Sequence, residues 1–220
     1  MRWGEQFRLA GANWRDRLIA ALGAFFGIAL TGFICSYVAG DAQSAILLAA
    51  PIGASAVLVF AIPSSPLAQP MAVILGNIVS ASCGILSVRL FGHGALAAGV
   101  AVSLAIVGMT ALRCLHAPGG GSALVPVVAG PEVAAHGFAL ALVPFGLNAL
   151  LLVMIGFLFH RLSGHSYPHR AAPAPAAAAM TAADIDAALV EMGESFDVSR
   201  EDLEALLASA ERHAQARRRG

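Results

Sequence analysis

Between residues 18 and 160 the chain carries charge only at Asp41, Arg89, Arg113 and Glu132; every other acid and base lies outside that stretch. A helix crossing the hydrocarbon core of a bilayer takes about 20 apolar residues, and this region supplies several such runs in succession. The chain is 58% hydrophobic and 12% charged, against about a quarter charged in a soluble domain. The pattern predicts an all-α, polytopic transmembrane helix bundle at residues 18–162, partnered by the lipid bilayer. An amphipathic segment, residues 1–17, precedes it, and an Ala/Pro-rich linker at 163–180 and a soluble helical tail at 181–220 follow.

Other features exclude more than they assign. The formal net charge is zero, every basic residue is Arg, and nothing supports a nucleic-acid partner. Cys35, Cys83 and Cys114 are odd in number and form no CxxC pair, so they read as small apolar packing residues. No histidines or acids have metal-ligand spacing, and neither a metal nor another cofactor is expected. The first apolar run follows a polar stretch and is followed by further runs, so a cleaved signal peptide is not expected.

Four runs read as full spans, at about residues 18–39, 69–91, 94–112 and 135–160, the last containing Pro144. Two more, at about 44–62 and 116–131, are interrupted by Pro and Gly. These two carry an internal repeat: Ala50-Pro51-Ile52-Gly53-Ala54-Ser55-Ala56 matches Ala117-Pro118-Gly119-Gly120-Gly121-Ser122-Ala123 in the pattern Ala-Pro-x-Gly-x-Ser-Ala. Broken backbone at membrane depth is tolerated only where protein or a water-filled cavity covers it. Paired broken segments in two halves of a membrane protein point to a substrate site. Ser55 and Ser122 can cap the helices that follow, whose positive N-terminal ends favour an anion. The preferred topology has four full spans plus two re-entrant or half-helix segments, which puts the Arg-rich ends and Arg89 on one side and Asp41 and Glu132 on the other. The rival is a three-plus-three inverted repeat with both broken runs crossing.

In the tail, Thr181 with Asp184, and Ser199 with Asp202, have helix-start spacing. Ile185, Leu189 and Met192, then Leu203, Leu206 and Leu207, recur at helical intervals. Two short helices too small to hold a core are expected, with a protein partner as one possible surface for them.

Three segments resemble the HPP family of integral membrane proteins: residues 53–60, the string Pro63-Ser64-Ser65-Pro66-Leu67-Ala68-Gln69-Pro70, and Ala111-Leu112-Arg113-Cys114-Leu115-His116-Ala117-Pro118-Gly119-Gly120. The Tyr167-Pro168 pair also looks like the family's end. Ala117 stands where the family has the first Pro of its His-Pro-Pro motif, which restores a backbone N–H to the turn. The resemblance implies a four-span membrane protein, with some members similar to nitrite transporters of plastids and cyanobacteria. The tail looks like the linker that precedes CBS domains in bacterial members; no such domain begins here, so nucleotide regulation in cis is not expected. The bacterial inner membrane, with both termini cytoplasmic, is the expected location.

The candidate substrate-binding residues are Arg113, His116, Pro118, Gly119, Gly120 and Ser122 at the second break, Gly53 and Ser55 at the first, and Ser64, Ser65 and Gln69 between spans. A charge inside a membrane is costly and commonly lines a pathway, so Arg113, with His116, is read as drawing an anion to the helix start; the bland alternative is a snorkelling Arg and a capping His. Asn77 and Asn148 read as interhelical hydrogen bonders in preference to pore lining. Arg89 reads as snorkelling, and His93, His136 and His160 as interfacial. The leading expectation is a transporter or channel for a small inorganic anion, nitrite first, acting as a homo-oligomer. A membrane anchor or sensor that presents its C-terminal helices is the alternative. An intramembrane enzyme using Ser55, Ser122 and His116 finds no supporting nucleophile–base spacing.

Overall fold

The computed structural model describes residues 14–39, 42–170, 181–192 and 198–219. Residues 1–13 of the expected amphipathic segment, Asp41, and residues 171–180 of the expected linker lie outside the described residues. Among the described residues there are helices and turns and no strand. The helices are α1 (Trp14–Ala39), α2 (Ala42–Ala61), α3 (Pro70–Phe91), α4 (Ala95–Ala111), α5 (Gly119–Val128), α6 (Pro131–Ala135), α7 (Leu147–Ser163), α8 (Ala182–Met192) and α9 (Arg200–Arg219). Three stretches, Trp14–Tyr37, Pro70–Phe91 and Ala141–Ser163, are long and apolar enough to cross a membrane; α4 and α5 are shorter apolar helices. Phe25, Phe33, Leu90, Leu96 and Leu158 face outward, while small residues such as Ala97, Ala101 and Ala105 of α4 face inward, as expected where lipid is the solvent and helices approach through small side chains.

The run expected to break at Pro51 does not break. α2 is a 20-residue helix with Pro51 inside it. Proline removes one helical hydrogen bond, but opening the helix would strand several backbone groups where no water can reach them. Continuing through a single missing bond is the smaller cost, and Pro51 is buried beside Gly121 of α5. The second copy does start a new helix: α4 ends at Ala111, residues 112–118 turn, and α5 follows for ten residues.

The last expected span also divides. A short α6 follows Gly130, whose φ of 91° reverses the chain. A widened turn of helix at Ala141–Gly146 carries Pro144 and a non-helical Val143 (φ −130°, ψ 113°). Only then does α7 run to Gly164, which caps it in the left-handed conformation at φ 80°.

α5 lies alongside α3 in a seam of close approach. A Cβ added to Gly76 would fall 2.5 Å from His116 Cβ, one on Gly119 2.5 Å from Ser80 Oγ, and one on Gly84 against the Ala123 backbone. Stepping along α3 through 76, 80 and 84 therefore meets 116, 119 and 123 in turn, so the two helices run parallel. At one end of the bundle His116 Nδ1 meets Leu67 O (2.8 Å); at the other His93 Nδ1 meets Val127 O (2.8 Å). The α2–α3 loop, the start of α1 and the end of α7 share the first of these ends: Tyr167 donates to Ala68 O (3.0 Å), and Asp16, Arg17, Pro63 and His160 line one cavity there.

Candidate functional site

Four polar side chains meet inside the apolar bundle. α2 contributes Ser55, α3 contributes Asn77, α5 contributes Ser122, and the turn before α5 contributes His116; all are fully buried. His116 Nε2 lies 2.7 Å from Ser55 Oγ. Ser122 donates to Asn77 Oδ1. Asn77 Nδ2 donates to Val73 O at 2.8 Å and reaches Ser55 Oγ at 3.5 Å. Ser80, one turn along α3, donates to Met109 Sδ at 3.3 Å.

The tautomer of His116 follows from its partners. Leu67 O can only accept, so Nδ1 carries a proton. In the neutral ring Nε2 is then an acceptor, and Ser55 donates to it. Ser55 also lies 3.1 Å from Pro51 O, but a hydroxyl has one proton to give, so these two bonds are alternatives. The cluster is thus a set of neutral donors and acceptors that can exchange partners. Each such bond between membrane helices contributes about 0.6 kcal/mol, which is modest; the cost of leaving the groups unpaired in an apolar interior is larger.

The other candidate residues are placed elsewhere. Arg113 is exposed, in the left-handed region at φ 53°, on the outer side of the turn that buries His116. The structure does not bring it to the cluster. Pro118 and Gly119 are buried in the seam and Gly120 is half-buried. Ser65 is buried and caps the short turn Pro66–Ala68, accepting from Leu67 N at 3.1 Å, whereas Ser64 is exposed. Gln69 binds the loop together through Pro63 O (3.0 Å) and Ser65 O (2.9 Å). Gly53 has open space around it.

The expected pair of anion-facing helix N-termini is corrected on both counts. The first copy lies in mid-helix, so its N–H groups belong to the α2 ladder. In the second, Gly119, Gly120, Gly121 and Ser122 N–H already bond to the carbonyls of His116, Ala117 and Pro118, because the residues before the helix wind into it. Ser55 and Ser122 act through their hydroxyls instead.

The interhelical bonds expected of both asparagines are made. Asn77 joins α3 to α5, and Asn148 on α7 accepts from the Cys35 thiol of α1. Arg89 is exposed with its guanidinium 4.9 Å from the centre of the Phe138 ring, and, because α2 and α5 both run through the bundle, it lies at the His93 end, opposite Arg17 and Arg161 and not on their side as expected. His93 and His136 are exposed, but His160, expected at the interface, is buried: Nε2 bonds Val59 O at 2.8 Å and its ring packs among Phe60, Phe159 and Tyr167. The cavity beside it measures 670 Å³. Among the described residues no three His, Cys, Asp or Glu side chains converge on a metal position.

In the tail, Ser199 and His169 both bond Asp202. Partial burial pushes that carboxyl up, but these bonds outweigh it and hold Asp202 below its ordinary range. Arg200 pairs with Asp186 at 2.7 Å, joining α9 to α8. His169, which sequence reasoning passed over, lies two residues beyond the recognisable Tyr167.

A bundle of apolar helices with outward-facing aromatic and aliphatic side chains and a closed polar cluster within defines a helical membrane protein. Residues 10–168 match the family described as HPP, transmembrane region, and the chain belongs to that family, as its motifs suggested. Membership is consistent with a membrane transporter or channel. Two transmembrane proteins of Dictyostelium discoideum are similar to it. One is 37% identical over 146 residues, covering 64% of this chain and 46% of that protein. The other is 37% identical over 152 residues, covering 67% and 53%. The chain thus spans about half the length of the curated relatives it matches. No solved structure matches it.

Proposed function

We propose that the chain is a transporter or channel for a small inorganic anion, with nitrite the first candidate, and that the Ser55–His116–Asn77–Ser122 cluster is where the solute is handled. The carrying observation is the cluster itself: four fully buried polar side chains from three helices and a turn, inside a bundle whose neighbouring side chains are apolar. Polar groups inside a membrane bundle are costly, and face its interior where function requires them. Two hydroxyls, an amide and an imidazole supply neutral hydrogen-bond donors, which can hold a weakly basic anion without a fixed positive charge. The cluster is closed to solvent, so passage requires the helices around it to part. A homo-oligomer completes the pathway in this reading. Arg17, Arg161 and Arg170 lie at or beyond the helix ends on the side of the α2–α3 loop, which the positive-inside rule assigns to the cytoplasm, and the bacterial inner membrane is the proposed location.

The test is flux into liposomes carrying the purified chain, scanning nitrite, nitrate, chloride and formate. Saturable, nitrite-selective flux is expected, lost in His116→Ala and reduced in Ser55→Ala, and retained in Arg113→Ala because that side chain lies away from the cluster. Folded, inserted protein that moves none of these anions would refute the transporter reading. Retained flux in His116→Ala would instead move the site elsewhere.

A second reading, a membrane anchor or sensor presenting α8 and α9, is favoured by the His169–Asp202 bond between the tail and the segment that follows α7. Removing residues 181–220 distinguishes the two: an anchor loses all function, whereas a transporter keeps its flux.

A further inference from the structure

The 670 Å³ cavity at the α2–α3 loop end is open, and its wall has two characters. Ile19 and Ala20 of α1, Phe60 of α2, Ile62 just beyond it, and Phe159 of α7 are apolar and buried or half-buried. Arg17, Ser64, His165 and Ser166 are polar and exposed. Sites for small organic ligands measure about 300–1,000 Å³ and combine apolar walls with a few polar groups. One wall group also lacks a partner. His160 is 2% exposed, and its Nε2 donates to Val59 O at 2.8 Å. In the neutral ring Nδ1 is then an acceptor, and among the described residues nothing bonds to it. A buried acceptor left unpaired is costly, so the wall suits an occupant that brings a hydrogen-bond donor.

The cavity sits where two stretches long enough to cross a membrane come to an end. Residues 16, 17, 19 and 20 of its wall belong to Trp14–Tyr37, and residues 159 and 160 to Ala141–Ser163. Trp14, Arg15 and Arg161 are exposed at the same end, as aromatic and basic side chains are where headgroups meet water. Leu18, Leu22 and Leu158 face outward within the next turns. The cavity therefore lies at headgroup depth, with its apolar wall beside the hydrocarbon. Charge narrows the occupant further. Arg17 offers a guanidinium suited to a phosphate, while Asp16 puts a carboxylate in the same wall and disfavours a headgroup that is purely anionic.

We propose that this cavity is a lipid site, taking one phospholipid whose headgroup joins a phosphate to a primary ammonium. The phosphate lies toward Arg17, the ammonium brings the N–H that His160 lacks, and the start of an acyl chain runs along the apolar wall. A choline headgroup offers no N–H, and a glycerol headgroup leaves an uncompensated negative charge near Asp16. The site does not depend on the transporter reading, because it needs no transported solute.

The test is native mass spectrometry of the purified full chain in detergent, titrated with ethanolamine, choline and glycerol phospholipids of identical acyl chains. The ethanolamine lipid is expected to bind several-fold more tightly than either of the others. Arg17→Gln, which removes the cation, and Ala61→Trp, which fills the cavity from an exposed wall position, are each expected to abolish that preference. Arg161→Gln, at the same end but outside the wall, is expected to keep it. Equal binding of all three lipids, or a preference that survives both wall variants, overturns the site. Tighter binding of the glycerol lipid overturns the ammonium, and equal loss in Arg161→Gln overturns the cavity as the place. Inorganic phosphate in excess is expected to leave the lipid bound; displacement by phosphate overturns the lipid in favour of the free anion.

Discussion

Replacing Gly76 with Ala tests whether the α3–α5 seam sets the position of His116. The added Cβ falls 2.5 Å from His116 Cβ and 2.9 Å from Cys114 O. Neither neighbour is the tip of a flexible side chain, so the turn itself must move. Carbon atoms pack at about 3.5–4.0 Å, so the turn retreats by about 1 Å. His116 then loses good geometry with Ser55 and Leu67, whose bonds now measure 2.7 and 2.8 Å. Overpacking costs about 1–3 kcal/mol, and the two lost bonds about 0.6 kcal/mol each. Ala in place of a helical Gly returns about 1 kcal/mol. The net is a destabilisation of about 1–3 kcal/mol, or roughly a tenfold to hundredfold shift in the unfolding equilibrium. Gly53→Ala is the matched comparison, because nothing lies within 4 Å of its added Cβ; it is expected to be neutral or stabilising by up to about 1 kcal/mol. Unfolding titrations in mixed micelles measure both. Gly76→Ala as stable as the parent, or Gly53→Ala equally damaged, would refute the argument that close approach at this seam holds the imidazole.

Tyr167→Phe removes the donor to Ala68 O and is expected to cost about 1 kcal/mol in the same titration. Gln69→Glu is expected to cost more than Gln69→Ala, because a carboxylate replaces an amide donor facing the carbonyls of Pro63 and Ser65; the relative stability of the two variants checks it. The tail's attachment has a defined pH response through Asp202, whose folded-state carboxyl lies below its ordinary range. A depressed carboxylate stabilises above the unfolded value of about 3.9 and loses that contribution as pH falls through the folded value. Titration of Asp202 therefore leaves its contact with His169 intact from neutral pH down to about pH 4 and weakens it below. Hydrogen exchange of α9 amides, normalised to intrinsic rates, reads this directly, and release of α9 in Asp202→Asn at neutral pH is the companion result.

The membrane bundle was legible because burial in lipid leaves a strong compositional trace: charge disappears over residues 18–160 apart from Asp41, Arg89, Arg113 and Glu132. The seam residues His116 and Ser122, with Ser55, were legible because Pro, Gly and polar residues are conspicuous inside apolar runs. What the sequence could not express was whether a Pro breaks its helix. Pro51 and Pro118 sit in matching patterns, yet one lies inside α2 and the other just before α5; an unbroken apolar run leads into Pro51, whereas Pro118 follows the turn at residues 112–118. Arg113 misled for a related reason. A charge three residues from a buried His suggests a shared site, but its left-handed backbone lies in the tight turn where residues 113–116 alternate between exposure and burial. Asn77 was read as a hydrogen bonder, and the bonds are there; its place beside Ser55 and His116 depends on α2, α3 and α5 meeting, which no local pattern records.

Gln69 has one further consequence. All of its bonded partners named above are main-chain atoms: the carbonyls of Pro63 and Ser65 and the amide of His169. A main-chain amide or carbonyl is offered by almost any residue, so this joint does not depend on which side chains occupy those positions. One glutamine can therefore hold a variety of downstream segments at the same place on the bundle. The junction behaves as a socket, and the segment plugged into it can change its side chains without any redesign of the helices that cross the bilayer.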